Sequence, residues 1–336
     1  MLVIYLNVHR LGQPEELLPL IRPYFLLQLI SIIFLMIFNG FKQFFDGITD
    51  TITPMWIMLS ANLINVIGNF ILIFGYFGCP ALGLTGAGIA TLASRIYMLV
   101  VFAIIFFLKK RYRRYRLGYL KAGYNKDSLL KLNKMGGMIG LQIGMETALF
   151  SITAVMVGWL GTIHLAAHQV VLSISTVSFM IYYGAGAAIS VRISHFNGRG
   201  EIENMRKASK AGLHIIMLLA VFFALFFFFT RKYIGYLFTS SDEVAAMVAT
   251  LMIIVAFYQF SDGLQISFAN SLRGIGDVNA MAIISLIGYF IVALPVSYLL
   301  GFVFNFGISG IWMSYLVGLT LTGLILRGRF FYILKK

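Results

Sequence analysis

Two acidic residues lie where acids are rare, in the middle of long apolar runs. Glu146 sits in the stretch GLQIGMETALF and Asp262 in FYQFSDGLQIS, whereas the other ten of the twelve Asp and Glu residues fall in polar loops or at the ends of apolar runs. A charged side chain at the centre of a bilayer costs roughly 2.5 to 3.5 kcal/mol on insertion scales unless it faces protein or water. At about 1.5 Å of rise per residue, both positions reach the midplane of a helical span. Gln142, Glu146 and Thr153 share one helical face by their spacing, and so do Tyr258, Asp262 and Gln265. Two polar stripes at equal depth predict one shared cavity. The chemistry that suits it is cation binding: a carboxylate stripped of water holds a proton more tightly, and a monovalent cation such as Na⁺ can take the proton's place. The plainer alternative is a hydrogen-bonded pair that glues two helices.

Other polar groups are weaker candidates. His164 and His168 are four residues apart and share a face, yet no third ligand accompanies them, so helix-interface histidines are expected rather than a metal centre. Arg95 stands alone within a span, suited to an anion contact or to pairing with a carbonyl. Asn62, Asn65 and Asn69 form an i, i+3, i+7 stripe that serves helix gluing or a ligand cavity equally well. Gln142, Gln265, Asn65, Asn69 and Arg95 are therefore the cavity candidates. The enzyme signatures sought, a Gly-x-Ser-x-Gly elbow, a His-Glu-x-x-His pair and a phosphate-cradling Gly-Lys-Ser/Thr loop, are absent from the sequence. No enzyme and no organic cofactor are expected; Na⁺ or H⁺ would be the only accessory species.

The elements that must position these groups are transmembrane helices. A chain of 336 residues that is 60% hydrophobic and 11% charged lies well outside the composition of soluble domains. Its apolar runs exceed the roughly 20 residues needed to cross the hydrocarbon as helix and lack the strict alternation of a transmembrane barrel. Nine spans are expected, at about 22–43, 54–76, 83–108, 132–160, 163–195, 209–230, 244–271, 280–302 and 307–330, with Pro295 marking a kink in the eighth. The longest connector, 109–131, opens with a basic cluster and is expected as a polar loop between two lobes. If that loop is cytoplasmic, the loops on its side and the tail 327–336 hold 21 of the 26 Lys and Arg residues. Such a bias predicts a multi-pass topology with 109–131 and the C-terminus inside. It also accounts for the net charge of +14 without nucleic acid as a partner. The single Cys79 excludes an internal disulfide.

The chain repeats itself. Phe45-Asp46-Gly47-Ile48-Thr49-Asp50 aligns with Leu272-Arg273-Gly274-Ile275-Gly276-Asp277 at an offset of 227, as Glu16 does with Glu243, and Gly83-Leu84-Thr85-Gly86 aligns with Gly307-Ile308-Ser309-Gly310 at 224. Spans one to three thus match spans seven to nine, while spans four to six have no partner. The expectation is a parallel repeat of two six-helix lobes from which about three helices are missing at the start. Residues 1–112 would be an incomplete N-lobe, with residues 1–8 the tail of a third helix, 113–131 a cytoplasmic linker, and 132–336 a C-lobe.

Together these stretches resemble the multidrug and toxic compound extrusion (MATE) transporters, and within them the bacterial NorM-like branch. The residues that carry the resemblance are Phe45 to Thr51 with Pro54-Met55, Asn65 and Asn69, Gly83 to Gly88, Gly144-Met145-Glu146, Ala166-Ala167-His168-Gln169, Ser261 to Gln265 and Leu272 to Asp277, in order over nearly the whole chain. The resemblance implies an all-α polytopic protein of about twelve helices in full. It implies an antiporter of the plasma membrane, the inner membrane of a bacterium, working as a monomer in the lipid bilayer, that exports cationic or amphipathic small molecules against inward Na⁺ or H⁺ flow by alternating access. Glu146, Asp262 and Tyr258 would form its cation site. Competing readings are a lipid-linked oligosaccharide flippase of the same superfamily, a cation channel and a transport-dead truncated remnant.

Overall fold

The computed structural model describes residues 18–121, 123 and 125–335. Arg10, Glu16 and the expected helix tail at residues 1–8 lie outside the described residues. Among those described, nine helices are long and apolar enough to cross a membrane, and the protein is a multi-pass, all-α membrane protein. The chain divides into two compact units, residues 1–124 and 125–336.

In unit 1, α1 (Leu18–Gly47) and α2 (Ile52–Phe74) both pack on α3 (Gly83–Leu108). Its core is aromatic, with Phe45 edge-on to Phe102 at 4.6 Å between ring centres and Phe38 edge-on to the same ring at 5.3 Å. The stretch expected as a loop at 109–131 is largely helical instead. A short helix, α4 (Arg113–Lys121), occupies its middle, and the next span starts at Lys126 rather than near 132. Asn125 explains the early start: its side-chain oxygen accepts from the Ser128 N–H at 3.0 Å, capping a helix whose first turn carries Asp127.

Unit 2 holds six spans: α5 (Lys126–Trp159), α6 (Thr162–Gly198), α7 (Ile202–Ile234), α8 (Asp242–Ile275), α9 (Val278–Val303) and α10 (Gly307–Ile333). The helices overrun the expected spans because capped, polar turns extend them past the apolar runs. In α8, Ser241 caps the Val244 N–H with Asp242 and Glu243 in the first turn. This helix is the axis of the unit, packed against α6, α7 and α10. Around Pro295, α9 departs from α geometry, with π-wound stretches at Ile287–Ala293 and Leu299–Val303.

The internal repeat is present in backbone detail. Helix α1 ends with the Thr49 N–H on the Asp46 carbonyl at 3.1 Å and the Asp50 N–H on the Phe45 carbonyl at 3.0 Å. Helix α8 ends with the Gly276 N–H on the Arg273 carbonyl at 3.1 Å and the Asp277 N–H on the Leu272 carbonyl at 3.0 Å. Thr49 and Gly276, at φ 63° and 82°, take the left-handed conformation that closes each turn. The next connection repeats too: the Leu82 N–H bonds the Leu72 carbonyl at 2.9 Å and the Phe306 N–H bonds the Leu300 carbonyl at 3.1 Å. A Cβ added at Gly86 would lie 2.4 Å from the Leu72 oxygen, and one at Gly310 would lie 2.5 Å from that of Leu300. Each glycine lets its helix rest directly on backbone.

Candidate functional site

Unit 2 contains an open cavity of about 620 Å³ between α5, α6 and α8, with Trp312 of α10 at one wall. That volume is in the range of small-molecule sites. Four expected residues line it: Gln142 and Glu146 from α5, and Tyr258 and Gln265 from α8. Their meeting follows from spacing within each helix and from the packing of α8 on α6 and α10.

The two acids occupy different environments. Glu146 is half-buried at the cavity, and its Oε2 accepts from the Gln142 amide at 3.0 Å. Asp262 is 2% exposed and does not line the cavity; one carboxylate oxygen, Oδ2, has no partner in the protein. Both acids still belong to helices that wall the cavity, Glu146 to α5 and Asp262 to α8. A buried carboxylate with a free oxygen has strong reason to hold a positive species. The expectation of two stripes facing one cavity is thus corrected for Asp262, which stands back from the space that Glu146 faces.

Thr153 is corrected as well. It is fully buried and hydrogen-bonded to the Tyr315 hydroxyl and the Leu149 carbonyl, so it joins α5 to α10 and leaves the cavity wall. His168 is fully buried with its ring edge-on to Trp312 at 5.6 Å, while His164 is half-buried. Among the described residues no three His, Cys, Asp or Glu side chains gather as a metal site.

The remaining candidates belong to unit 1. Asn65 donates to the Thr91 hydroxyl at 3.4 Å, and Asn69 donates to Asn65 at 3.2 Å. This stripe joins α2 to α3, which favours the gluing role. Arg95 of α3 reaches α1, donating to Gln28 Oε1 at 3.3 Å and to the Ser31 hydroxyl. Neither a backbone carbonyl nor an acid is its partner in these bonds.

Reading the sequence for buried acids missed several polar groups of unit 2. Arg273 lines the cavity and donates from Nη2 to Gln142 Oε1 at 3.3 Å. Tyr289 accepts from Gln265 Nε2 at 2.8 Å, and Tyr182 donates to Gln259 at 2.9 Å. The repeat carried a signal for Arg273, since it replaces an aspartate at the equivalent turn.

The MatE family model matches residues 1–71 and 139–299, more than half of the chain. The chain belongs to the MatE family. Within the MATE proteins it is NorM-like: it is 30% identical over 300 residues to the multidrug resistance protein NorM of Photobacterium profundum, covering 88% of this chain and 65% of that protein. The figures for NorM of Aliivibrio fischeri are 30% over 305 residues, 90% and 66%. This MATE chain therefore spans just under two thirds of the length of these relatives. Among solved structures, a mutant of the Vibrio cholerae MATE transporter VcmN matches with a TM-score of 0.89 at 20% identity, over 99% of this chain and 75% of that one. The eukaryotic MATE transporter AtDTX14 matches with a TM-score of 0.83 at 21% identity, over 97% and 72%. These two likenesses establish the MATE fold.

Proposed function

We propose that the protein is a cation-coupled antiporter, not an enzyme, that exports cationic or amphipathic small molecules across the bacterial inner membrane by alternating access. Glu146 and Asp262 hold the coupling Na⁺ or H⁺, and Tyr258, one turn before the aspartate, completes the site. The observation that carries this reading is the placement of the two acids on helices that wall one cavity, Glu146 of α5 facing it and Asp262 of α8 buried with a free carboxylate oxygen.

Coupling requires only that the cation and the exported compound favour different conformations of the same bundle, because a ligand that binds both equally shifts neither. A potential of 100 mV adds about 2.3 kcal/mol per charge moved, enough for modest uphill export. The basic loops beside 109–131 support a cytoplasmic placement of that connector and of the C-terminus. Because every group of the site comes from unit 2 of one chain, a monomer is the expected working unit.

The test is flux in sealed vesicles with imposed gradients. Efflux of a cationic dye is expected to follow an inward Na⁺ or H⁺ gradient and to be lost in Asp262→Asn while the protein remains inserted. Efflux indifferent to both gradients, or unchanged in that variant, would reject the proposal.

A further inference from the structure

We propose that Arg273 forms an anion-binding subsite at one end of the unit 2 cavity, so that the cavity takes zwitterionic aromatic compounds: a cationic group toward Glu146 and a carboxylate on Arg273. This rests on the reading of the cavity as a ligand site given above.

Arg273 is underused where it stands. Its Nη2 donates to Gln142 Oε1 at 3.3 Å and its Nη1 to Asn270 Oδ1 at 3.4 Å, both long bonds to neutral amides. Its Nε is buried without a partner. Among the described residues the guanidinium is in no ion pair within 4.0 Å. Guanidinium presents a rigid fork of donors that matches a carboxylate two bonds at a time, and such charge-assisted pairs are stronger than bonds to amides. An incoming carboxylate would therefore displace Asn270 or Gln142 at a gain.

The turn does not explain the arginine. The same pair of hydrogen bonds closes the end of α1 with Asp46 at the matching position, and Asp46 is satisfied locally by Lys42 at 2.9 Å. One backbone turn thus accepts either charge, which leaves the cavity as the place where the Arg273 side chain is spent.

Gln142 separates the two charges. Its amide N–H groups serve Glu146 at 3.0 Å and its carbonyl receives Arg273 at 3.3 Å, so cation, amide and anion stand in a row along one wall. The opposing charges are kept from neutralising each other directly, and each remains open to a partner of the other sign. Phe150, Phe179, Tyr183 and Trp312 line the same cavity and supply apolar surface for a flat ring system.

The test uses two dyes that share one xanthene cation and differ in a single group: rhodamine B, with a free carboxylate, and its ethyl ester. Binding to the purified full chain in detergent is followed by fluorescence anisotropy at neutral pH. Arg273→Gln is expected to weaken rhodamine B about tenfold or more while the ester binds as well as before, and Arg273→Lys is expected to fall between, keeping the charge without the fork. Glu146→Gln is expected to weaken both dyes. Equal losses for the two dyes in Arg273→Gln, or no loss for rhodamine B, would overturn the anionic subsite while a Glu146-dependent ester would leave the cation reading intact. Dyes that bind without regard to either residue would overturn both.

Discussion

Asp50 and Asp277 close the same turn in the two units, and each is held by a different partner. Asp50 is 4% exposed and accepts from the Tyr112 hydroxyl, from the Thr53 hydroxyl at 3.0 Å and from the Thr53 N–H at 3.3 Å, with Arg111 3.7 Å away. Asp277 instead accepts from Arg329 Nε at 2.7 Å. In unit 1 the aspartate is fixed by the first turn of α2 and by Tyr112 of the connector that follows α3; in unit 2 it is fixed by the last helix itself.

Replacing Asp50 by Ala strands three donors and is expected to destabilise unit 1 by about 1.5–3 kcal/mol. The Arg111 contact contributes little of this, because that side chain is 70% exposed. Thermal unfolding of the full chain in detergent measures the loss; an unchanged melting temperature would refute the cap.

The same group sets a pH dependence. Burial alone would raise the Asp50 carboxyl, but the Tyr112 hydroxyl, the Thr53 N–H and hydroxyl and the Arg111 charge outweigh it and hold the group below the usual carboxylate value. A group depressed on folding stabilises fully above its unfolded pKa of about 3.9, and that contribution drains away as the pH falls through the lower folded value. The gap in melting temperature between wild type and Asp50→Asn is therefore expected to hold constant from neutral pH to about pH 5 and to shrink below about pH 4. A gap that widened in acid would contradict the assignment.

Asp277→Asn is expected to cost at most about 1 kcal/mol, since the partners are 20% and 40% exposed and water screens the pair. The contrast with Asp50 is the informative comparison. Equal losses at the two sites would mean that burial is not what separates them.

Gly86 and Gly310 should be intolerant of any side chain. In both cases the new Cβ meets a backbone carbonyl that cannot step aside, so Gly310→Ala is expected to cost about 1–3 kcal/mol or more despite alanine's better helix propensity. At Gly40 of α1 an added Cβ has nothing within 4 Å, and alanine there should be neutral or mildly stabilising. Folded yield and melting of the three variants decide the matter.

If Glu146 and Asp262 act as one cation site, each single amide variant should abolish gradient-driven flux, and the double variant should lose nothing more. Residues that work as a unit show this lack of additivity. Independent, multiplicative losses in the vesicle assay would separate the two acids.

Much of this arrangement was legible in the chain. Long apolar runs located all nine spans of the described residues because hydrocarbon thickness fixes their length, and the repeat was visible in turns whose left-handed residue and glycine contacts leave few sequence choices. Glu146 and Asp262 stood out because an acid within such a run is costly. The spans came out short because capping by Asn125 and Ser241 depends on local polar geometry, not hydropathy. Whether Asp262 or Thr153 faces the cavity depends on how α10 and α9 cover their helices, a matter of contacts between residues far apart in sequence. The reach of Arg273 from α8 to Gln142 on α5 is likewise long-range, and helical spacing within one segment carries no trace of it.

The π-wound stretches of α9 have a mechanical consequence. Each stores a residue beyond what straight α winding would use, on either side of a proline that cannot join the ladder. Rewinding the first of them, Ile287–Ala293, to α geometry would turn everything past it by about 100° about the axis without baring backbone groups to lipid. Ser297, now bonded to Ser314, would then swing off its mate, so this hydroxyl pair reports which register the eighth crossing occupies.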